Sequence, residues 1–255
     1  MKVKVSAISY LNTAPFVYGL ENHPVSGMIE LDFVPPAVTA AKLISGDADL
    51  GLVPVAAIPY INNPFIVSDY CIGAEGKVAS VLLCSGRKLS DIKKIYLDTE
   101  SRTSVLLTRI LCKNYWNISP EFADFDFSKS IPDPDESYIL IGDKALLNSH
   151  LFRNVYDLAE EWISYKKLPF VFACWTSNKE LPADFIKSFN EALSFGIANL
   201  EKSVDRFLPL FEKEYALEYL KNNISYNLTA DKRKGLSEFW SLAPDELKSR
   251  VRWFG

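Results

Sequence analysis

Histidine and cysteine, the side chains that most often bind metals or act as bases and nucleophiles, are scarce in this sequence. The 255 residues include two histidines and four cysteines. No C-x-x-C pair and no H-E-x-x-H spacing occurs, which argues against a zinc site. The cysteines lie in apolar segments, where buried free thiols are expected. We therefore predict no bound metal and four unpaired cysteines.

Signatures of nucleotide, nucleic-acid and membrane binding are missing as well. The sequence contains neither a P-loop nor a G-x-G-x-x-G motif, so we expect no nucleotide and no other cofactor. A net charge of −4 without a basic patch argues against nucleic acid as a partner. No apolar run is long enough to span a bilayer. The first residues enter strand alternation without the apolar core of a signal peptide, so we expect a cytoplasmic protein with no membrane partner if this is the native start.

Short apolar runs alternate with helical patterns along the first part of the chain. Val3–Ile8 and Ile29–Phe33 predict strands, and a helix from Pro36 ends at Gly46, which suits the left-handed cap position. Leu50–Val53 is the next predicted strand. A strand–helix–strand unit of this kind predicts a parallel sheet.

A second set of elements predicts a second lobe. Two further strands, at residues 65–67 and 78–84, precede it, and its own strands and helices are expected at residues 95–97, 105–115, 122–125, 138–141 and 144–151. Phe170–Trp175 predicts a buried strand that returns the chain to the first unit, and the remainder is predicted to be helical, with Thr229 as a helix cap. We therefore predict an α/β protein with lobe I at residues 1–84 and 176–255, lobe II at residues 85–175, and a ligand cleft between them.

Polar side chains follow the first predicted strand, in the segment Ser9–Phe16. The carboxyl ends of strands line the ligand crevice in open α/β sheets, and the strand that ends at Pro54 is expected beside this segment. Asn12 offers hydrogen-bond donors and an acceptor without adding charge. It is a candidate ligand contact, and the open alternative is that it caps the following helix.

A second polar group, Ser101–Ser104, precedes a strong helical pattern. Backbone N–H groups and the helix dipole at such a position favour an anion, and Thr103 and Ser104 add hydroxyl donors. This predicts a seat for a carboxylate or phosphate. An ordinary helix cap with no ligand remains the alternative.

Three further residues are weaker candidates. Gly142 follows a buried strand and would allow a ligand close to the backbone. For Asp143, a role as the cap of its own helix is favoured. Ser80 alone carries little information, because no histidine is placed to activate it and a catalytic triad is unsupported. The combined site suits a small carboxylated organic ligand, and it does not by itself distinguish a binding protein from an enzyme.

Several of these segments together resemble a known family. The segments are Ser9–Phe16, Gly51–Val55, Ser80-Val81, Ile141–Asp143 and Leu168–Trp175. They resemble the menaquinone-biosynthesis family that contains chorismate dehydratase, the enzyme that opens the futalosine route. The resemblance runs from Val3 to about Trp175, and the later helices agree only in character.

The resemblance implies a two-lobed type II periplasmic-binding-protein-like fold used as an intracellular enzyme. It implies a carbon–oxygen lyase that converts chorismate to 3-[(1-carboxyvinyl)oxy]benzoate and water. Asn12 and Ser80 are implied to lie nearest the chemistry, and Thr103 and Ser104 match the family's carboxylate-binding turn. The remaining residues of the predicted substrate-binding set are Ser9, Tyr10, Pro54, Gly142 and Asp143.

Three other functions are weighed against this one. A sister enzyme of the family makes 1,4-dihydroxy-6-naphthoate and typically carries a His-Glu pair where this chain has Gly142-Asp143, so the dehydratase is favoured. A binding protein for a small carboxylate would have the same fold without catalysis, and a regulatory domain would have an empty cleft. A homodimer stays open, since the sequence does not show which apolar side chains are exposed.

Overall fold

A computed structural model describes residues 2–98, 100–127, 132–244 and 252–253 of the chain. The strands are β1 (Val3–Ala7), β2 (Ile29–Phe33), β3 (Leu50–Pro54), β4 (Phe65–Ala74), β5 (Val81–Ser85), β6 (Lys94–Asp98), β7 (Glu121–Phe125), β8 (Ser137–Ile141), β9 (Asn154–Asp157), β10 (Phe170–Ser177), β11 (Ser225–Asn227) and β12 (Arg252–Trp253). The helices are α1 (Ala14–Asn22), α2 (Pro36–Ser45), α3 (Arg102–Asn114), α4 (Gly142–Asn148), α5 (Leu158–Lys166), α6 (Ala183–Ala198), α7 (Leu200–Ser203), α8 (Lys213–Asn222) and α9 (Ala230–Ser241).

The strands of the described residues form two sheets. The first has the order β11-β4-β10-β3-β1-β2, with β12 also paired to β4, and the second has the order β7-β6-β8-β5-β9. In the first sheet β1 is parallel to β2 and β3, whereas β10 is antiparallel to both of its neighbours. In the second sheet β5 is likewise antiparallel to both of its neighbours, β8 and β9. Each sheet therefore contains a strand that has just crossed from the other sheet and runs antiparallel to both of its neighbours, and in the first sheet β11 also runs antiparallel to β4.

The chain crosses between the sheets earlier than the sequence predicts. β4 ends at residue 74 and β5 starts at residue 81, while α5 ends at residue 166 and β10 starts at residue 170. Sheet pairing therefore corrects both predicted boundaries, 84/85 and 175/176, by moving them toward the N-terminus. The physical reason is that a fully buried strand is apolar on both faces, so its composition does not show which sheet it joins. Lobe I hereafter means residues 2–74 and 170–244, and lobe II means residues 81–166.

The sequence correctly predicted residues at the ends of two helices, but it predicted the lengths of several elements poorly. Gly46 has φ +82° at the end of α2, and the Thr229 side chain accepts the Lys232 N–H at the start of α9, as predicted. β4 runs well beyond its predicted residues 65–67, since a bulged pairing with β10 extends it. The predicted helix at 144–151 is α4 followed by a 3₁₀ turn, and β9 and α5 were not predicted. The four cysteines, all within the described residues, are buried and free, as expected.

α1 packs against α6 at backbone contact distance. A Cβ atom added to Gly196 would lie 1.8 Å from the Pro15 carbonyl oxygen, and one added to Gly19 would lie 2.0 Å from the Ala192 carbonyl oxygen. Neither position has room for a side chain, so both glycines are required for this approach. The contact matters for the site, because α1 carries the Asn12 segment at its N-terminal end. None of the helices in the described ranges has both the length and the apolarity needed to cross a bilayer.

We expect Gly196→Ala to lower the free energy of unfolding by about 3 kcal/mol or more, because the two helix backbones must move apart. Urea unfolding measures the change. Gly27→Ala is the matched control, since no atom lies within 4 Å of its added Cβ. Equal stability of the two variants would mean that the α1–α6 contact relaxes at no cost.

Candidate active site

A narrow cavity of about 60 Å³ lies between the lobes. Its lining includes Tyr10, Asn12, Pro54, Thr103, Ser104 and Gly142. The first three come from the carboxyl ends of β1 and β3, and the others from the starts of α3 and α4 in lobe II. The cavity thus brings together two polar groups that the sequence places about ninety positions apart, at the edge where ligands bind in open α/β sheets.

Three predicted site residues, Ser9, Ser80 and Asp143, are absent from the cavity lining found among the described residues, and Ser9 is the one that faces solvent. It is exposed, and the lining found among the described residues includes Ile8 and Tyr10 on either side of it but not Ser9. Successive side chains of an extended segment point to opposite sides, so its neighbours face the cleft and Ser9 faces solvent. The prediction that Ser9 contacts the substrate is therefore not supported by the geometry.

Asn12 has an acceptor without a partner. It lies in the 3₁₀ turn Leu11–Thr13 between β1 and α1, and its backbone oxygen accepts the Tyr226 hydroxyl at 3.0 Å. Its side-chain Oδ1 is buried and makes no hydrogen bond to any described residue. Thr13, not Asn12, occupies the N-cap position of α1, so the alternative that Asn12 caps this helix is wrong. A buried polar atom without a partner is costly, which makes Oδ1 a candidate ligand contact.

Ser80 lies immediately before β5, behind the cavity wall. The side chain is fully buried, and its Oγ accepts a hydrogen bond from the Tyr219 hydroxyl at 2.7 Å. The Ser80 carbonyl oxygen accepts the Gly142 N–H at 2.8 Å, which ties the crossing segment to the start of α4. The Asn12 side chain also lies close enough to the Tyr219 hydroxyl to act in the direction that lowers its pKa, against the larger effect of burial. Tyr219 therefore connects the two residues that the resemblance implies for catalysis.

Hydroxyl groups at the start of α3 are already hydrogen-bonded. Ser101 is the N-cap, and its Oγ accepts the Ser104 N–H at 3.2 Å and pairs with the Ser104 hydroxyl at 2.7 Å. The Thr103 hydroxyl accepts the Ala56 N–H at 3.2 Å and donates to the Phe172 carbonyl oxygen at 3.3 Å, both in lobe I. An anion that binds Thr103 must compete with these bonds between the lobes. The Arg102 and Thr103 amides, in the same first turn, have no intrahelical partner, and the helix dipole there favours an anion.

A second link between the lobes involves charged groups that sequence reasoning missed. The Tyr10 hydroxyl donates to Glu100 Oε2 at 2.9 Å, and Lys144 donates to the same oxygen at 2.9 Å. Lys144 also pairs with Asp98, at 2.7 Å, although Asp98 is only 2% exposed. Burial, and then the Glu100 charge, raises the pKa of Tyr10. The phenol therefore remains a hydrogen-bond donor to Glu100.

The Asp143 side chain accepts a hydrogen bond from the opposite lobe rather than from its own helix. Ile141 is the N-cap of α4, so the favoured prediction that Asp143 caps this helix is wrong. Asp143 Oδ1 instead accepts the Leu11 N–H at 2.9 Å, at the start of the turn that holds Asn12. Burial raises the pKa of Asp143 to about 6, and the Leu11 hydrogen bond acts in the lowering direction. A carboxyl group in this condition can hold or accept a proton near neutral pH.

The Tyr10 ring packs directly on Gly142. Gly142 has φ +55°, and a Cβ added there would lie 2.8 Å from Tyr10 Cδ2. In this structure the group that approaches the Gly142 backbone closely is a side chain from lobe I. The predicted ligand contact at Gly142 stays a prediction.

Known proteins resemble this chain in sequence and in fold. Residues 3–245 match the profile of a protein family described as menaquinone biosynthesis. The chain is 26% identical to the chorismate dehydratase of Thermus thermophilus over 251 residues, which cover 90% of this chain and 91% of that protein.

Three solved structures share the architecture. A protein of Archaeoglobus fulgidus gives a TM-score of 0.74 at 14% identity, covering 95% of this chain and 96% of that chain. A Candida albicans protein described as having the generic periplasmic-binding-protein fold gives 0.60 at 15% identity, covering 99% and 96%. The periplasmic aliphatic sulphonate-binding protein of Escherichia coli gives 0.58 at 15% identity, covering 98% and 96%. The predicted two-lobed periplasmic-binding-protein-like α/β fold is thereby confirmed.

The family match extends beyond the segments that suggested the resemblance. It covers the helical part after Trp175, which the quoted motifs did not include. One family profile therefore covers both lobes and the C-terminal helices. The chain belongs to the menaquinone biosynthesis family.

Proposed function

We propose that this protein is a chorismate dehydratase, a lyase that forms 3-[(1-carboxyvinyl)oxy]benzoate and water in the futalosine pathway of menaquinone biosynthesis. The observation that carries the proposal is that the Oδ1 atom of Asn12 is buried and has no hydrogen-bond partner among the described residues. Asn12 lines the same cavity as the first residues of α3. One lobe thus offers an uncharged acceptor for a hydroxyl group, and the other offers donors for a carboxylate. The similarity to a named chorismate dehydratase over 90% of the chain supports the same substrate.

The ring carboxylate is where stabilisation is needed. Chorismate loses a ring hydroxyl and a proton from the adjacent ring carbon, and the electrons of the broken C–H bond complete an aromatic ring. The proton is acidified by conjugation with the ring carboxylate, so negative charge grows on that group as the proton leaves. Thr103, Ser104 and the first amides of α3 are placed to donate to it. Preorganised donors of this kind can each lower a barrier by about 3 kcal/mol.

The proton acceptor in this proposal is the substrate itself. The enolpyruvyl carboxylate takes the proton from the ring carbon and passes it to the departing hydroxide, which leaves as water while the carboxylate is regenerated. Asn12 and Ser80 hold the leaving hydroxyl and the enolpyruvyl group in alignment. Positioning alone can supply several kcal/mol when the reacting atoms are about 3 Å apart. Substrate entry requires Thr103 to release its bonds to Ala56 and Phe172, so the lobes must separate first.

Incubation of the purified protein with chorismate tests the proposal. The expected result is loss of chorismate with formation of the aromatic enol ether, followed by liquid chromatography and mass spectrometry. A small-carboxylate binding protein would instead show a ligand-dependent rise in melting temperature without product. Product from a modified futalosine, and none from chorismate, would favour the sister enzyme that makes 1,4-dihydroxy-6-naphthoate.

Asp143→Asn separates substrate assistance from the rival possibility that Asp143 is the base. Asparagine keeps the acceptor for the Leu11 N–H but cannot take a proton, so substrate assistance predicts a kcat within a few-fold of the original. A kcat/KM profile that loses a limb near pH 6, together with lost turnover, would instead make Asp143 the proton acceptor.

The same variant has a predictable effect on stability. The pKa of Asp143 is about 6 in the folded protein and about 3.9 in an unfolded chain, so the folded state holds the proton more tightly. Its contribution to stability therefore falls as pH rises from about 4 to about 6, by up to about 3 kcal/mol. We expect Asp143→Asn to equal the original protein near pH 4 and to exceed it at pH 7. Urea unfolding at both pH values measures the difference, and a constant difference would contradict the shift.

A further inference from the structure

Helix α8 places a buried phenol between the two residues proposed for catalysis. Tyr219 is 4% exposed, and its hydroxyl donates to Ser80 Oγ at 2.7 Å. The Asn12 side chain lies beside the same phenol. Asn12 lies on the turn after β1, and Ser80 lies in the crossing between the lobes. Tyr219 is therefore the point at which three separate parts of the chain meet.

The direction of the Tyr219–Ser80 hydrogen bond has a chemical consequence. Ser80 Oγ accepts from Tyr219, so the hydrogen of the Ser80 hydroxyl is left to point at another acceptor. Hydrogen bonds in such a chain polarise one another, which makes the serine a stronger donor. Burial raises the pKa of Tyr219, and the charge of Asp143 acts in the same direction. The phenol thus stays protonated and keeps this direction of donation.

A neighbouring tyrosine supports the same part of the site. Tyr226, on β11, is also buried, and its hydroxyl donates to the Asn12 backbone oxygen at 3.0 Å. Its bond fixes the position of the Asn12 backbone, whereas the Tyr219 bond is made to a side chain. The segment after residue 212 therefore supplies hydrogen bonds to a turn and a crossing that lie more than a hundred positions earlier.

We propose that Tyr219 is a positioning residue for the dehydration: it holds the Ser80 hydroxyl so that its hydrogen points toward the departing hydroxyl of the substrate. This role rests on the proposed function. Tyr219 does not touch the reacting atoms and gives up no proton. Its effect is to remove the alternative rotamers of Ser80 before the substrate arrives, which is the kind of preorganisation that lowers a barrier without tightening substrate binding.

Tyr219→Phe removes the hydroxyl and keeps the ring. We expect kcat to fall about tenfold, which corresponds to one ordinary hydrogen bond, while KM changes less than about twofold. Ser80→Ala is the partner variant. In the double variant Tyr219→Phe should cause no further loss, because the serine through which it acts is gone. Tyr156→Phe is the control: its hydroxyl accepts the Leu89 N–H at 3.0 Å within lobe II, away from the cavity lining.

The outcomes separate the inference from the function on which it rests. If the unaltered protein converts chorismate and Tyr219→Phe keeps the original kcat, the positioning role is wrong. Losses that add in the double variant, or an equal loss in Tyr156→Phe, would indicate a general structural effect and would also overturn it. If the unaltered protein forms no aromatic product, the proposed function is rejected and this role with it. Thermal melts of all four variants confirm that each is folded.

Discussion

Replacing Asn12 with aspartate is expected to lower turnover of chorismate by about a thousandfold. The substitution keeps the size of the side chain and adds a negative charge to the wall of a cleft that we propose holds a substrate with two carboxylates. At about 4 Å and an effective dielectric constant of about 20, two like charges repel by about 4 kcal/mol, which corresponds to about a thousandfold in rate. The steady-state rate of product formation measures the effect.

The same substitution at a position outside the site shows whether charge alone is responsible. Asn22 lies at the other end of α1, is exposed, and bonds the Tyr18 carbonyl oxygen through its side-chain amide. Asn22→Asp adds the same charge at the far end of the helix that follows Asn12, and it is expected to leave kcat and KM unchanged. Full activity in Asn12→Asp would remove Asn12 from the mechanism. Loss of activity in both variants would point to the stability of α1 instead.

The position of the site could be predicted because local rules converge on it. The turn after β1 that holds Asn12, the strand that ends at Pro54 and the helix that starts after Ser101 each carry a local signal. Parallel strands end at the same edge, and helix starts face that edge, so these pieces share one cleft. The same reasoning gave the two-lobed fold.

The contacts that complete the site could not be predicted, since they join residues far apart in the chain. Tyr10 reaches Glu100, Leu11 reaches Asp143, and Tyr219 reaches Ser80. A lysine such as Lys144 has the same local signature whether it is solvated or paired with a buried aspartate. The two hydrogen bonds of the Thr103 hydroxyl could not be predicted for the same reason, because both of its partners belong to the other lobe.

Asp143 shows how a correct local rule can give a wrong assignment. An acidic residue in the first turn of a helix is a good candidate for a cap, and Asp143 is in the first turn of α4. Its side chain nevertheless accepts the Leu11 N–H of the facing turn. Tertiary contact thus decided between two partners that the carboxylate could have served equally well.

Gly142→Ala is expected to lower kcat/KM by about a hundredfold, since displacements of about 1 Å in a site can cost that much. The added Cβ would lie 2.8 Å from Tyr10 Cδ2, so the Tyr10 ring must leave its place on α4. The Gly142 N–H is also bonded to the Ser80 carbonyl oxygen, so a shift of this residue moves Ser80 as well. Initial rates over a range of chorismate concentrations measure the loss.

Backbone strain must be separated from the clash with Tyr10. Gly142 has φ +55°, and a residue with a side chain costs about 1 to 3 kcal/mol in that region whatever its surroundings. Gly46 supplies the matched control, because it has φ +82° and no atom lies within 4 Å of its added Cβ. Gly46→Ala carries the same kind of strain at the end of α2, far from Tyr10 in the chain.

We expect both glycine variants to lose stability in urea unfolding, and only Gly142→Ala to lose turnover. Its kcat should fall, because Ser80 is displaced, and its KM should rise, because Tyr10 lines the cavity. Unchanged kinetics in Gly142→Ala would show that Tyr10 and Ser80 keep their positions or that neither matters for the reaction. Equal kinetic losses in Gly46→Ala would show that a strained backbone anywhere in this fold slows it, and the Tyr10–Gly142 contact would then have no special role.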